Sequence, residues 1–163
     1  MDHDQNIAKE SVLPFGSCLT DQEIEDIRKN SNIVGYDKRE TIFRQNTRTS
    51  HIMFVKSGLV KIFKEGRNNK FIVLKIAIPD EYIGLMSIFG NNVYQYSAAA
   101  INPAEICFID YGTFTGVIKD NGEFAQRLID NLSSFGIYIF DRLMSQSHKQ
   151  LPGRIADVIL YFS

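Results

Sequence analysis

The chain has 163 residues, 44% hydrophobic and 23% charged, with a formal net charge of -1. That length supports one globular core without a disulfide or metal staple, and the charge balance excludes the basic footprint of a self-sufficient nucleic-acid binder. Two cysteines, Cys18 and Cys107, are too few for a disulfide framework and too far apart for a metal knuckle, so each reads as a buried apolar thiol.

The start, MDHDQNIAKES, lacks the basic and apolar regions of a signal peptide, and no apolar run reaches spanning length. A cytoplasmic protein with no membrane partner is expected. Residues 1–18 show no clear period and read as a flexible lead-in around Pro14 and Gly16. In LTDQEIEDIRKN, Thr20 is placed to cap a helix, Glu23 to reach back to it, and Leu19 to pack on Ile24 as a staple. Asp21 and Glu23 early, with Arg28 and Lys29 late, suit the helix dipole.

From Ile33 to Ile109 the pattern becomes short β-branched and aromatic runs between turns: NIVGY, TIFRQ, HIMFVKSG, LVKIFKEG, KFIVLKIA, YSAAAI and AEICFID. Runs at this spacing predict an antiparallel barrel, sandwich or jelly roll rather than a parallel sheet. EGRNN at 65–69 reads as a hairpin turn with Gly66 available for positive φ. Within EYIGLMSIFGNNVYQYSAAA, Gly84 stands in an apolar loop, an Asn-Asn turn follows, and small residues close the stretch. After Asp110, a candidate N-cap, YGTFTGVIKD returns to a helical period through Phe114 and Ile118.

Asp120 with Glu123 forms a second capping pair, predicting a long helix over 121–149. Phe124, Leu128, Leu132, Phe135, Ile139 and Arg142 follow one stripe along it; Ile129, Gly136, Phe140, Leu143 and Ser147 follow another. A helix apolar on two sides must be covered on two sides. One face lies on its own roll and the other wants a partner, most simply the same helix of a second copy; alternatively both stripes fit one monomeric core. In LPGRIADVILYFS, Pro152 suits a first helical turn, and the apolar face of Ile155, Val158, Ile159 and Phe162 stops without a cap. The chain is therefore expected to continue into another domain.

This order of elements resembles the CRP/FNR family of bacterial transcription regulators, over about residues 19–163. The carriers are HIMFVKSGLVKIF, YIGLMSIFG as a phosphate-cassette loop, YSAAA after it, and GRIADVILYFS; IGLMSIFGNNVYQYS and HKQLPGRIADVILYFS are similar to the branch found in Bacteroides-type bacteria. The resemblance implies a mainly β protein with α: an antiparallel double-stranded β-roll, like the cyclic-nucleotide-binding domain, flanked by an N-terminal helix and a long C-terminal helix. It implies an effector domain over 19–120 and a dimerisation helix over 121–149, paired through Leu128, Leu132, Phe135, Ile139, Arg142 and Leu143. Residues 150–163 would open a DNA-binding domain, cut short, through which a homodimer would meet palindromic promoter DNA and RNA polymerase.

The family's cyclic-nucleotide binders use a glutamate after the loop glycine and an arginine before Ser-Ala. Here Leu85 follows Gly84, and Tyr96 precedes Ser97 and Ala98. A buried cyclic phosphate needs a cation or several donors, and neither side chain supplies a charge. At the long helix, where cyclic-AMP readers place a Thr-Ser pair, stand Ile139 and Phe140. Cyclic AMP is not expected as the effector. Gly84, Leu85, Met86, Ser87, Tyr96, Ser97, Ala98, Ile139 and Phe140 would line an apolar pocket with a few hydroxyls for orientation, or else the same side chains fill the space and leave no ligand site. Arg44, Arg48 or Arg142 would rescue an anionic ligand only from another direction. An iron–sulfur cluster wants about four thiolates, which two distant cysteines do not supply. Haem would need His51, His148 or His3, and a thiol-redox role an exposed Cys18 or Cys107 with a lowered pKa. No cofactor or metal is expected. A cupin-like metal enzyme would need clustered histidines, and only His51 falls in the β region, so catalysis is not expected. A stand-alone ligand-binding or interaction module without DNA-binding function remains the alternative to a regulator.

Overall fold

Thr20 caps the first helix, α1 (Asp21–Lys29), by accepting the Glu23 backbone N–H, and the Glu23 carboxylate returns to the Thr20 N–H at 2.7 Å. Leu19 and Ile24, the expected staple, are both buried. The computed structural model describes residues 13–66 and 70–148, and of residues 146–148 the backbone alone. Leu13, which the sequence places in a loose lead-in, is fully buried, and a 3-10 turn follows at Gly16–Cys18. The Tyr82 hydroxyl donates to Pro14 O at 3.0 Å, which ties this stretch to the roll. Residues 1–12 of the expected lead-in lie outside the described residues, and burial of Leu13 was not legible because one apolar side chain has no period to read.

Eight strands follow among the described residues: β1 (Ser31–Tyr36), β2 (Thr41–Phe43), β3 (His51–Ser57), β4 (Val60–Glu65), β5 (Phe71–Ala77), β6 (Tyr82–Ile83), β7 (Ser97–Ala100) and β8 (Ala104–Asp110). They form two four-stranded sheets, ordered β1-β8-β3-β6 and β2-β7-β4-β5, and every pairing is antiparallel. This is a double-stranded jelly roll. Seven strands coincide with the sequence runs; β6, two residues long, is too short to show alternation. The expected turn after β4 closes through the Gly66 N–H to Lys70 O at 2.8 Å, but Gly66 has no positive φ. Gly58 does need to be glycine: its φ is 83, and a Cβ would sit 2.4 Å from Pro103 O.

β3 explains why alternation fades in the central runs. Ile52, Met53, Phe54 and Val55 are all at most 1% exposed, so this strand is buried on both faces. Met53 and Val55 join Phe43, Ile62, Tyr94 and Ile106 in the roll's interior. On the other face, Phe54 meets Tyr82 edge-on at 6.1 Å, and Tyr82 meets Phe114 at 5.7 Å.

Three more helices complete the described chain: α2 (Leu85–Gly90), α3 (Tyr111–Asp120) and α4 (Gly122–His148). Asp110 caps α3 through the Thr113 N–H at 2.9 Å, as the sequence predicts. Asp120 does not cap α4. It closes α3, and Asn121 takes the role, its Oδ1 accepting the Phe124 N–H at 3.0 Å. The chain divides into two units, the first ending at Leu128 and the second beginning at Ile129. None of the described helices is long and apolar enough to cross a membrane. The expected helix start at Pro152 lies outside the described residues.

Candidate functional site

The stretch from β6 to β7 is built around Gly84. Its φ of 82 turns the chain out of β6 into α2, and a Cβ there would lie 3.0 Å from Tyr94 Cε1, so conformation and space both call for glycine. The Gly84 carbonyl accepts from the Ser87 and Ile88 N–H groups at 3.0 and 3.2 Å. Asn92, at φ 56, reverses the chain at the expected Asn-Asn turn, and its N–H returns to Ser87 O at 3.0 Å. Ser87 is fully buried and its Oγ accepts the Gln95 N–H at 3.2 Å. Tyr94 and Tyr96 then enter the interior together, as the period of two along a strand-like segment dictates.

Tyr96 is 7% exposed, beside Phe43 at 5.9 Å between ring centroids. Burial pushes its phenol up to about 12, while hydrogen bonding from the Gly84 backbone and the Ser87 hydroxyl draws it back in part. Phe43 stacks on Tyr94 at 4.0 Å, and the Tyr94 hydroxyl points to Met53 Sδ at 4.0 Å. Phe43, Met53 and Tyr94 are absent from the sequence-based site; the alternation in VYQYS was the available signal for Tyr94.

Of the predicted lining, Leu85, Ser87, Tyr96, Ser97 and Ala98 are buried in the first unit. Ser97 is committed elsewhere: its Oγ accepts the Gln45 N–H at 2.9 Å and donates to Glu65 Oε1 at 3.0 Å. Met86 is 46% exposed and points away from the interior, as its position one residue along α2 from buried Leu85 and Ser87 requires. Ile139 and Phe140 belong to the second unit, where Phe140 is 64% exposed.

The other candidates are dispersed. Arg44 and Arg48 are exposed, and Arg142 reaches the Tyr138 hydroxyl at 3.4 Å on its own helix. His51 is exposed, with Ser50 Oγ at 2.9 Å from Nδ1; His3 lies outside the described residues, as does the side chain of His148. No three His, Cys, Asp or Glu side chains group as metal ligands among the described residues. Burial raises the Cys107 thiol, and burial together with the Glu123 carboxylate raises Cys18, the reverse of what thiolate chemistry requires.

Along α4 the two stripes differ in exposure. Ile129, Ile137, Phe140, Leu143 and Met144 form an open apolar face on the second unit. Of the residues expected to pair the helices, Leu128 is buried within the first unit and cannot face a partner; Leu132, Phe135, Ile139 and Arg142 are half-buried, and Leu143 is exposed. Both stripes carry large apolar side chains, so periodicity alone did not say which would be covered within the chain.

A family model described as the cyclic nucleotide-binding domain matches residues 33–121. The chain is 21% identical to the anaerobic regulatory protein of Bacillus subtilis over 153 residues, 93% of this chain and 59% of that protein. Among solved structures, it is similar to the sensor domain of the transcriptional regulator DNR from Pseudomonas aeruginosa, with a TM-score of 0.68 and 20% identity, covering 81% of this chain and 87% of that one. It is also similar to the c-di-GMP-responsive global regulator CLP of Xanthomonas campestris, with a TM-score of 0.73 and 19% identity, covering 86% of this chain and 70% of that one.

Proposed function

The chain belongs to the cyclic nucleotide-binding domain family, with the roll of CRP/FNR-type regulators, and from that premise we propose that it is the sensor and dimerisation part of a DNA-binding transcription regulator that does not answer to cyclic AMP. The observation that carries the reading is the loop from Gly84 to Ser97, in which Leu85 and Tyr96 stand at the two places where the resemblance would put the charged grip, both of them buried. Tyr96 and Leu85 bring no charge there, and the ring of Phe43 packs beside both Tyr94 and Tyr96. A cyclic phosphate would have to displace a buried phenol and then remain without a cation.

The open stripe of α4 supports a homodimer. Ile129, Ile137, Phe140, Leu143 and Met144 recur on one face of the helix, the pattern that a second copy of the same helix covers. The role is non-catalytic and cytoplasmic in this reading, and promoter DNA and RNA polymerase are partners of a C-terminal domain of the whole regulator. Two measurements test it. Sedimentation should show a dimer at tens of micromolar protein, and calorimetry should show no saturable heat from cyclic AMP at millimolar concentration, both order-of-magnitude settings. A monomer in the first, or micromolar binding in the second, overturns the corresponding half.

A further inference from the structure

On the outer surface of the β2-β7-β4-β5 sheet lies a cleft of about 280 Å³ whose wall holds Lys38, Arg39 and Lys61 over a floor of Ala99, Ala100 and Ile101. Lys61 points outward because its neighbours Val60 and Ile62 both point into the core, and Ala99 lies opposite it in register between inward Ala98 and Ala100. The wall carries three cations and no carboxylate. No ion pair among the described residues involves any of the three.

Two features separate this cleft from ordinary hydrated surface charge. Arg39 holds the left-handed conformation, φ 72, which costs a non-glycine residue energy and persists only where its surroundings fix it. Its N–H donates to Ala100 O at 2.9 Å, and the Ala100 N–H donates to Glu40 O at 2.9 Å, so the turn is clamped on both sides to the floor. Lys61 is positioned without being neutralised: its Nζ lies 4.7 Å from the ring centroids of both Phe63 and Phe71. Aromatic faces orient an ammonium while leaving its full charge available to an anion.

We propose that this cleft, formed by Lys38, Arg39 and Lys61, binds a small phosphorylated anion. Its size admits a compact phosphate ester, the guanidinium supplies a forked donor to phosphate oxygens, and the lysines add positive charge to the wall. The apolar floor strengthens each contact by removing water from beneath the ligand. The site lies on the face of the sheet opposite the interior that holds Tyr96, so it is separate from the Gly84 loop.

The test is a titration of the isotope-labelled protein with inorganic pyrophosphate, followed by backbone amide NMR against sodium chloride of equal ionic strength. Saturable shifts confined to residues 38–40, 61 and 99–101 are expected with pyrophosphate alone. Arg39→Gly removes the cation while suiting the positive φ, so it keeps the fold; it should weaken binding about tenfold, and Lys61→Ala should do likewise. Equal shifts with chloride, shifts centred on Gly84 to Ser87, or unchanged affinity in Arg39→Gly would overturn the proposal.

Discussion

Tyr96 has a free-energy signature that follows from where its hydroxyl lies. Its phenol ionises near 10 in an unfolded chain and about 12 in the folded one, so the folded state holds the proton more tightly. That preference costs nothing below pH 10, and stability falls as pH rises from 10 toward 12, by about 2–3 kcal/mol for this group alone. Urea melts at alkaline pH should show the decline, and Tyr96→Phe should make it shallower. Buried Tyr82, whose phenol burial also raises, leaves the remainder. Near neutral pH, where the phenol is protonated in both states, the same variant should change stability little, by less than about 1 kcal/mol. Gly58 is more demanding. An added methyl meets the Pro103 carbonyl and the Ala104 backbone in a left-handed turn, so Gly58→Ala should lose more than about 2 kcal/mol in a thermal or urea melt.

Among the elements, the junction of α3 and α4 depends on one side chain. Asn121 Oδ1 caps α4, while its Nδ2 donates to Cys18 O at 2.9 Å and to the Glu23 carboxylate at 3.2 and 3.3 Å. Asn121→Ala removes a cap and a half-buried tie together and should cost about 1–2 kcal/mol by chemical denaturation, with the first turn of α4 losing helicity. Local chemistry made the first helix and α3 legible in sequence, since Thr20 with Glu23 and Asp110 before a helical period each name their own boundary. The same logic failed at Asp120 because an adjacent asparagine does the job equally well, and only the path of the chain decides between them. The strands were legible for another reason: β-branched and aromatic runs survive even where a strand such as β3 is buried on both faces and alternation is lost. β6 escaped because pairing with Met53 and Phe54, not its own composition, makes it a strand.

For the whole molecule, the open stripe on α4 is the feature with a measurable consequence. Phe140 is 64% exposed, so Phe140→Asp should leave the melting of the roll unchanged while shifting sedimentation from dimer to monomer. The sequence revealed two apolar stripes but not their order of burial, and Leu128 was placed on the wrong side for that reason. The loop around Gly84 was legible in outline, since its glycine, its Asn-Asn turn and its missing charges are all local. What fills it was not, because Phe43 comes from a strand about forty residues earlier and only the closure of the roll brings the two together.

Asn121 also makes distant stretches answerable to one another. The carboxylate that seals α1 is the same one this amide reaches, so deleting it with Glu23→Ala should quicken amide hydrogen exchange at Phe124 and Ala125, a hundred positions downstream. A disturbance entering at the amino-terminal end would thereby reach the root of the helix through which we propose the chain pairs.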